Sequence, residues 1–118
     1  MNLSGECLKE FNIWYSNEYL QPKKIEYWDG VLDNSMNMFK RFLNLPKSMR
    51  YGIYVDYFDS VGMFIDAFSK PDLEIKTWTF SAYVGLEEVD EFDTRQEART
   101  KAIEKASEIR NKQLDEKD

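Results

Sequence analysis

Residues 49–68 read MRYGIYVDYFDSVGMFIDAF, and this stretch decides the fold class. The run is rich in β-branched and aromatic residues, which are enriched in strands, and the Asp59-Ser60 pair in its middle is typical of a turn. We therefore predict a β-hairpin that turns at Asp59 and Ser60. In that register Asp56 and Asp66 lie on opposite faces and form no catalytic pair, although a slip of one residue would reverse this.

Both faces of the predicted hairpin are apolar. The first face carries Tyr51, Ile53, Val55, Tyr57, Phe64 and Phe68. The second carries Tyr54, Phe58, Val61, Met63, Ile65 and Ala67. A strand with one face in water alternates apolar with polar residues. Two alternatives follow: helices cover both faces, or one face is kept for an oligomer or partner interface, where aromatic residues and Met are enriched.

Two helices are predicted before the hairpin. Apolar residues recur at helical spacing over residues 4–18, and Pro22 ends that helix because the residue before proline avoids the α region. Asp29 is a good N-cap for a second helix, since its carboxylate can accept the free amides of a first turn. An apolar stripe then runs to Leu43, and Pro46 leads into the hairpin.

A third strand and a last helix are predicted after the hairpin. Residues 69–72 (SKPD) indicate a turn. Residues 73–84 (LEIKTWTFSAYV) alternate, as in an edge strand or one with a partly wet face, and Gly85 ends the strand. Thr94 and Glu97 form a capping box for a helix that runs to about Gln113. The inner face of that helix carries Ala98, Ala102, Ile103, Ala106 and Ile109.

These elements predict an α+β fold in the order α-α-β-β-β-α. It is a three-stranded antiparallel β-meander packed by two N-terminal helices and one C-terminal helix, in a single domain over residues 1–118. The 118 residues and a hydrophobic content of 42% suffice for a core. We find no internal repeat or linker that would divide the chain.

Composition narrows the chemistry that the chain can perform. It has no histidine and one cysteine, Cys7, which excludes imidazole bases, Cys-His nucleophiles and thiolate or histidine metal sites. We predict no cofactor, and the remaining enzymatic alternative is a carboxylate site for Mg²⁺. No apolar run approaches the ~20 residues that span a bilayer, and a secretory signal pattern is absent. A lone cysteine fits a reducing cytoplasm.

The net charge of −6 comes from 22 acidic and 16 basic residues, and it is concentrated after the third strand. We interpret that segment as a loop, with three alternatives: a solvated loop beside a helix N-terminus, a hard-cation site without the spacing of a calcium loop, or an acidic patch for a basic protein surface. The third alternative makes the candidate partner-binding residues Glu87, Glu88, Asp90, Glu91 and Asp93.

The order α-β-β-β-α and the segment TRQEARTKAIEKASEI resemble the double-stranded-RNA-binding domain. That family grips phosphates with adjacent lysines at the start of its last helix, where this chain has Thr94, Arg95, Gln96 and Glu97. An acidic segment precedes them and would repel phosphate. A nucleic-acid-binding module is therefore an alternative that requires a basic stripe on the last helix, formed by Lys101, Lys105, Arg110 and Lys112.

The strand WTFSAYV, the acidic segment and the helix FDTRQEARTKAIEKASEIRNK also resemble small proteins encoded by bacterial phages and prophages. In those proteins a strand feeds an alanine-spaced helix of the α-β-α sandwich type. The segment LPKSMRYGIYVDYFDSVG shares their character, so the resemblance covers about residues 45–112. It implies a fold and a source in a bacterial host cell, and it supplies no catalytic residues.

We therefore predict a small, non-catalytic phage or prophage accessory protein of the cytoplasm that acts by binding a protein. Inhibition of a host defence or nucleic-acid enzyme is the form of binding that this origin and the acidity favour. Association of two copies through a sheet face is a further expectation. Nucleic-acid binding and a carboxylate–Mg²⁺ enzyme are the two alternatives.

Overall fold

The computed structural model describes residues 1–19 and 42–116, which form three helices and one antiparallel sheet. The helices are α1 (Gly5–Tyr19), α2 (Lys47–Ser60) and α3 (Arg95–Glu116). The strands are β1 (Ile65–Asp72), β2 (Thr77–Val84) and β3 (Glu87–Phe92), and β2 is central. The predicted α+β class, the three-stranded meander and the order α-α-β-β-β-α are confirmed. The helix predicted from Asp29 lies outside the described residues, apart from Phe42 and Leu43 at its end, which are helical.

The hairpin predicted over residues 49–68 is wrong, because its first half is helix α2. Polar or small residues recur there every three to four positions, at Gly52, Asp56 and Asp59, and all three are exposed. Tyr54, Tyr57 and Phe58 lie on the opposite side and are buried. A stripe with this spacing is helical, and burial of the three rings outweighs the strand propensity of the residues.

Asp59 and Ser60 end α2 instead of forming a hairpin turn. Gly62 has a φ of +80°, the left-handed conformation that glycine adopts without strain. The Met63 amide donates to the Phe58 carbonyl at 2.8 Å and the Gly62 amide to the Asp59 carbonyl at 3.0 Å. This is a Schellman motif, the common C-terminal cap of a helix.

In the described part of the chain, seven aromatic rings pack together between the helices, and Phe11 of α1 is at their centre. Phe11 is fully buried, and the centroids of five rings lie 5.0–5.9 Å from its own centroid. Such pairs add to the stability that burial of their area provides. The rings belong to Phe11, Trp14, Tyr15, Phe42, Tyr54, Tyr57 and Phe58.

Helix α3 covers one face of the sheet, which we call the inner face, and contacts all three strands. Its Ala98, Ala102 and Ala106 are fully buried, so the predicted close approach of an alanine face is confirmed. The predicted N-terminus is confirmed too, since the Thr94 hydroxyl accepts the Glu97 amide at 3.1 Å. Among the described residues, no helix combines the length and apolar character needed to cross a membrane.

Strand β1 begins at Ile65 and runs through the residues predicted to form the SKPD turn. Pro71 is tolerated because β1 is an edge strand. The chain turns instead at residues 73–76, where the Asp72 carboxylate accepts the Glu74 amide at 3.1 Å and Lys76 has a φ of +54°. The turn predicted at residues 69–72 is wrong, because those residues are the end of β1. Asp72, the last residue of the motif, instead accepts the first hydrogen bond of the turn that follows.

The alternation predicted for the third strand is confirmed in β2, and β1 alternates as well although both faces of its residues were predicted to be apolar. In β1, Ile65 and Ala67 pack against the core, whereas Asp66 and Phe68 point to the outer face, the side of the sheet opposite α3. In β2, Ala82 and Val84 are buried on the inner face. Strand β2 is not an edge strand, but its outer face is partly wet, as its alternation predicted. The outer face is not covered by α1, α2 or α3.

Candidate functional site on the outer sheet face

The predicted acidic loop is strand β3, which is an edge strand of the sheet that the described residues form. Glu87, Glu88, Asp90 and Glu91 lie along this edge, and Asp93 follows it directly. Gly85 and Leu86 form a two-residue turn between β2 and β3, and Gly85 has a φ of +66°. Glycine at the first position of such a turn is typical of a type II′ hairpin. Val89 and Phe92 pack toward the core and anchor the strand. The segment was predicted as a loop because its carboxylates mask those two anchors.

A bulge in β3 decides where the carboxylates point. Tyr83 pairs with Glu88 and Ala82 pairs with Asp90, so Val89 is an extra residue. In a regular strand, residues 88 and 91 would lie on opposite faces. The bulge instead sets Glu88 opposite Tyr83 and Glu91 opposite Ser81, and both carboxylates lie on the outer face.

A lysine from the far side of the sheet lies between these two carboxylates. Lys70 of β1 extends across the central strand, and its Nζ lies 2.5 Å from Glu91 Oε1 and 3.8 Å from Glu88 Oε2. The bond to Glu91 raises the pKa of Lys70 above its ordinary value, and Glu88 adds to this effect. The Glu88 carboxylate beside the Tyr83 hydroxyl raises the pKa of Tyr83.

Two aromatic rings and a buried hydroxyl complete the arrangement. Phe68 and Tyr83 stack with centroids 5.3 Å apart and planes inclined by 12°, and Phe68 keeps 41% of its surface exposed. Ser81 lies between Phe68 and Glu91 in the register and is fully buried. Its Oγ has no hydrogen-bond partner among the described residues. The outer-face cluster, as we call it, comprises Phe68, Lys70, Ser81, Tyr83, Glu88 and Glu91.

The structure therefore divides the five predicted residues into two groups. Glu88 and Glu91 belong to the outer-face cluster and share the Lys70 ammonium. In the described part of the chain, Glu87, Asp90 and Asp93 take part in no ion pair, and all three are exposed. The unpaired group offers the stronger attraction to an approaching cation.

Sequence reasoning missed Lys70, Phe68 and Tyr83 as members of one site. Lys70 was assigned to a turn, and the pairing of Phe68 with a residue 15 positions away depends on the register. One signal was present: the outer-face residues of β2 include Tyr83 beside small or hydroxyl residues such as Ser81, which leaves room for neighbouring side chains to cross the strand.

A second polar cluster joins the three helices in the interior. Arg110 is 8% exposed, and its Nε and Nη2 donate to Glu10 Oε1 and Oε2 at 2.8 and 2.9 Å. The Tyr57 hydroxyl donates to Glu10 Oε1 at 2.7 Å and lies 3.6 Å from the Cys7 Sγ. Burial raises the pKa of the Cys7 thiol and, more strongly, that of Tyr57. Cys7 is fully buried, so its thiol is shielded from solvent.

A groove of about 350 Å³ lies between the start of α1 and helix α3. Its polar side chains cap the N-terminus of α1. Asn111 Oδ1 accepts the Cys7 amide at 2.8 Å, and Ser107 Oγ accepts the Ser4 amide at 3.1 Å. Gly5 has a φ of +58°, and a Cβ there would lie 3.1 Å from Asn111 Oδ1. Side chains of helix α3 thus cap the N-terminus of α1. The groove is the place where these two helices pack together.

The alternatives from the sequence meet the structure as follows. Asp56 lies on α2 and Asp66 on β1, both exposed, so the strand register predicted for them does not exist. Residues 1–19 and 42–116 contain no group of three or more acidic or thiol side chains placed to hold a metal ion. The carboxylate–Mg²⁺ enzyme therefore gains no support from the described residues.

The chain was compared with protein-family models, with curated proteins and with solved structures, and none of them matches it.

Proposed function

We propose that this protein is a small, non-catalytic accessory protein that binds a basic surface of another protein through strand β3 and the outer sheet face. We propose further that the protein comes from a phage or prophage and acts in the bacterial cytoplasm. There it would inhibit a host defence or nucleic-acid enzyme. Those parts come from the resemblance of residues 45–112 and from the acidity of the chain.

One observation carries the binding proposal: the free edge strand presents exposed carboxylates beside a sheet face with exposed aromatic rings. Glu87, Asp90 and Asp93 are exposed on β3 or directly after it. On the same face as Glu88 and Glu91, Phe64 and Phe68 are 64% and 41% exposed. Aromatic centres with polar surroundings are typical of protein interfaces, and a carboxylate edge steers basic partners toward them.

The test is capture of partners from nuclease-treated bacterial lysate on the immobilised protein, washed at low and high salt. We expect a protein partner that is released by salt, because exposed charges are screened beyond about 8 Å at physiological ionic strength. The variant Glu87→Lys/Asp90→Lys should lose this partner. Glu108→Lys on α3 is the matched control, since it reverses an exposed carboxylate away from β3 and should keep the partner.

If Glu87→Lys/Asp90→Lys captured the partner as well as the wild-type protein does, the proposal would be contradicted. Retention by wild type that survives high salt and is equal in both variants would place the interface elsewhere on the molecule. Analytical ultracentrifugation of the same variants measures association of two copies through the sheet face, the other expectation for this surface.

Nucleic-acid binding is a second candidate, but not through the stripe that the sequence predicted. Arg110 is buried against Glu10, and Lys101 and Lys105 pair with Glu104 and Glu108. The observation that favours this candidate lies at the start of α3. Arg95 and Arg99, one turn apart, lie over the rings of Phe80 and Tyr51 at 5.4 and 4.8 Å.

Neither Arg95 nor Arg99 forms an ion pair in the described part of the chain, and the Arg99 Nε is buried without a partner. Two like charges one turn apart repel each other, and a phosphate would relieve this. Fluorescence anisotropy with double-stranded RNA tests the candidate: Arg95→Gln/Arg99→Gln should abolish binding that Lys101→Gln/Lys105→Gln leaves intact. Equal binding by both double variants would dismiss it.

A further inference from the structure

The outer-face cluster already holds a cation that belongs to the chain itself. Lys70 Nζ lies on the carboxylates of Glu88 and Glu91, which converge only because of the bulge at Val89. Lys70 reaches them from β1, on the opposite edge of the sheet, and must cross β2 to do so. The arrangement shows that two carboxylates on β3 form a seat for one ammonium group.

The ammonium in this seat is exchangeable. The side chains of Lys70, Glu88 and Glu91 are 38%, 37% and 46% exposed, so water and solutes reach all three. Exposed ion pairs contribute little to stability, because solvent screens them and both side chains lose conformational freedom. Displacement of Lys70 by another cation would therefore cost the fold little.

The seat also offers a donor–acceptor group that Lys70 leaves unused. Ser81 is fully buried beneath the cluster, and its Oγ lacks a hydrogen-bond partner within residues 1–19 and 42–116. Buried hydroxyls are nearly always hydrogen-bonded. A group with several donors, such as a guanidinium, can bond two carboxylates and a hydroxyl together, whereas the single ammonium of Lys70 does not reach the hydroxyl.

The walls of the seat suit a cationic side chain as well. The stacked rings of Phe68 and Tyr83 border it, and Phe68 remains 41% exposed. A cation over an aromatic face is attracted by the ring quadrupole. Glu87 and Asp90, which lie beside it on the free edge, add a field that attracts positive charge.

We propose that Lys70 is an internal placeholder in a binding site for a lysine or arginine side chain, and that the partner's basic side chain replaces it between Glu88 and Glu91. This inference rests on the proposed function and names the chemistry of the partner. The occupant is an extended, basic segment of another protein that lies along the free edge of β3. Every second side chain of such a segment points to the outer face, where the seat is.

The experiment removes the placeholder and asks whether binding improves. The probe is a fluorescein-labelled pentapeptide of alternating valine and arginine, followed by anisotropy at low salt. Lys70→Gln should bind it about tenfold more tightly than wild type, because the seat no longer has an internal competitor. Glu88→Gln/Glu91→Gln should bind it more weakly than wild type.

Two controls separate the seat from net charge. Lys101→Gln also removes one ion-paired, half-exposed lysine, so it changes the net charge equally, and it should match wild type within about twofold. The same pentapeptide with glutamine in place of arginine should bind none of the proteins. Thermal melts of all variants confirm that the fold is kept.

Equal affinities of Lys70→Gln and Lys101→Gln would overturn the inference, since general charge attraction would then account for binding. So would unchanged peptide binding by Glu88→Gln/Glu91→Gln, or the absence of peptide binding by Lys70→Gln. Failure of the proposed function is a separate result: there, partner capture from lysate is indifferent to Glu87→Lys/Asp90→Lys, whatever the peptide does.

Discussion

The interior cluster and the outer-face cluster contain the same three chemical groups in different surroundings. Each joins a cation, a glutamate and a tyrosine hydroxyl close to the glutamate. Inside, these are Arg110, Glu10 and Tyr57, and Arg110 keeps only 10% of its side chain exposed. On the sheet the cation is Lys70, with 38% exposed.

The comparison teaches how exposure decides what such a group does. A buried charge without its partner is strongly destabilising, so the interior cluster fixes how α1, α2 and α3 meet. An exposed pair is screened and nearly neutral for stability, so the outer-face cluster is free to exchange its cation. Geometry adds to this: Arg110 is bidentate on Glu10, whereas Lys70 makes one short contact and one long one.

The largest effect is expected from Arg110→Met, which removes the bidentate guanidinium from the Glu10 carboxylate. We expect a loss of about 3 kcal/mol in the free energy of unfolding, near the low end for buried pairs because Glu10 is 31% exposed. Urea denaturation measures it. In contrast, Lys70→Met should leave the urea midpoint unchanged; a similar loss in both variants would end the distinction between the clusters.

High pH should weaken the interior through Tyr54. Burial raises the pKa of Tyr54 to about 12 from an ordinary value of 10.0. The folded state then holds this proton more tightly, so the stabilisation is complete below pH 10 and is lost as the pH rises toward 12. Two pKa units correspond to about 2–3 kcal/mol. The unfolding free energy of Tyr54→Phe should fall less between pH 10 and 12 than that of wild type, and parallel curves would contradict this.

Much of the fold could be predicted because the buried residues of a helix or strand recur at a regular spacing along the sequence. The alanines of α3 and the alternation of β2 depend only on local spacing, and both predictions are confirmed. The α2 segment failed because Tyr54, Tyr57 and Phe58 are strong strand formers. The spacing of Gly52, Asp56 and Asp59 indicates a helix. The rings of α1 and Phe42 that pack on these aromatic residues favour the helix further, and no short pattern reveals those contacts.

The candidate site was predicted in composition and not in arrangement. Four of the five acidic residues lie on β3 and Asp93 follows it directly, but which of the four share a face depends on the bulge at Val89. Nothing in the sequence EEVDEF marks a bulge. The extra residue arises because Val89 and Phe92, three positions apart, both pack against the core. Lys70 lies on β1, and its carboxylate partners lie on β3. Its role therefore depends on the registers of both strand pairs, which the sequence does not reveal.

Tyrosine hydroxyls offer a smaller test of the same contrast. Tyr57→Phe removes a 2.7 Å hydrogen bond to a charged group in the interior. We expect it to cost about 1.5 kcal/mol in the free energy of unfolding. Tyr83→Phe removes the hydroxyl beside Glu88 on the sheet, where water reaches the carboxylate, and the urea midpoint should not change. Equal losses in the two variants would show that both hydroxyls are structural.

The smallest effect is expected from Ser81→Ala and has the opposite sign. The Ser81 Oγ is buried and has no partner in the part of the chain that the structure describes, so its removal deletes a desolvated polar atom without breaking a bond. We expect a gain of about 0.5–1 kcal/mol in the free energy of unfolding. If the hydroxyl serves a basic side chain, the same variant should also bind the arginine pentapeptide more weakly in the Lys70→Gln background. A residue that lowers stability and raises affinity belongs to binding; a loss of stability in Ser81→Ala would assign it to the fold instead.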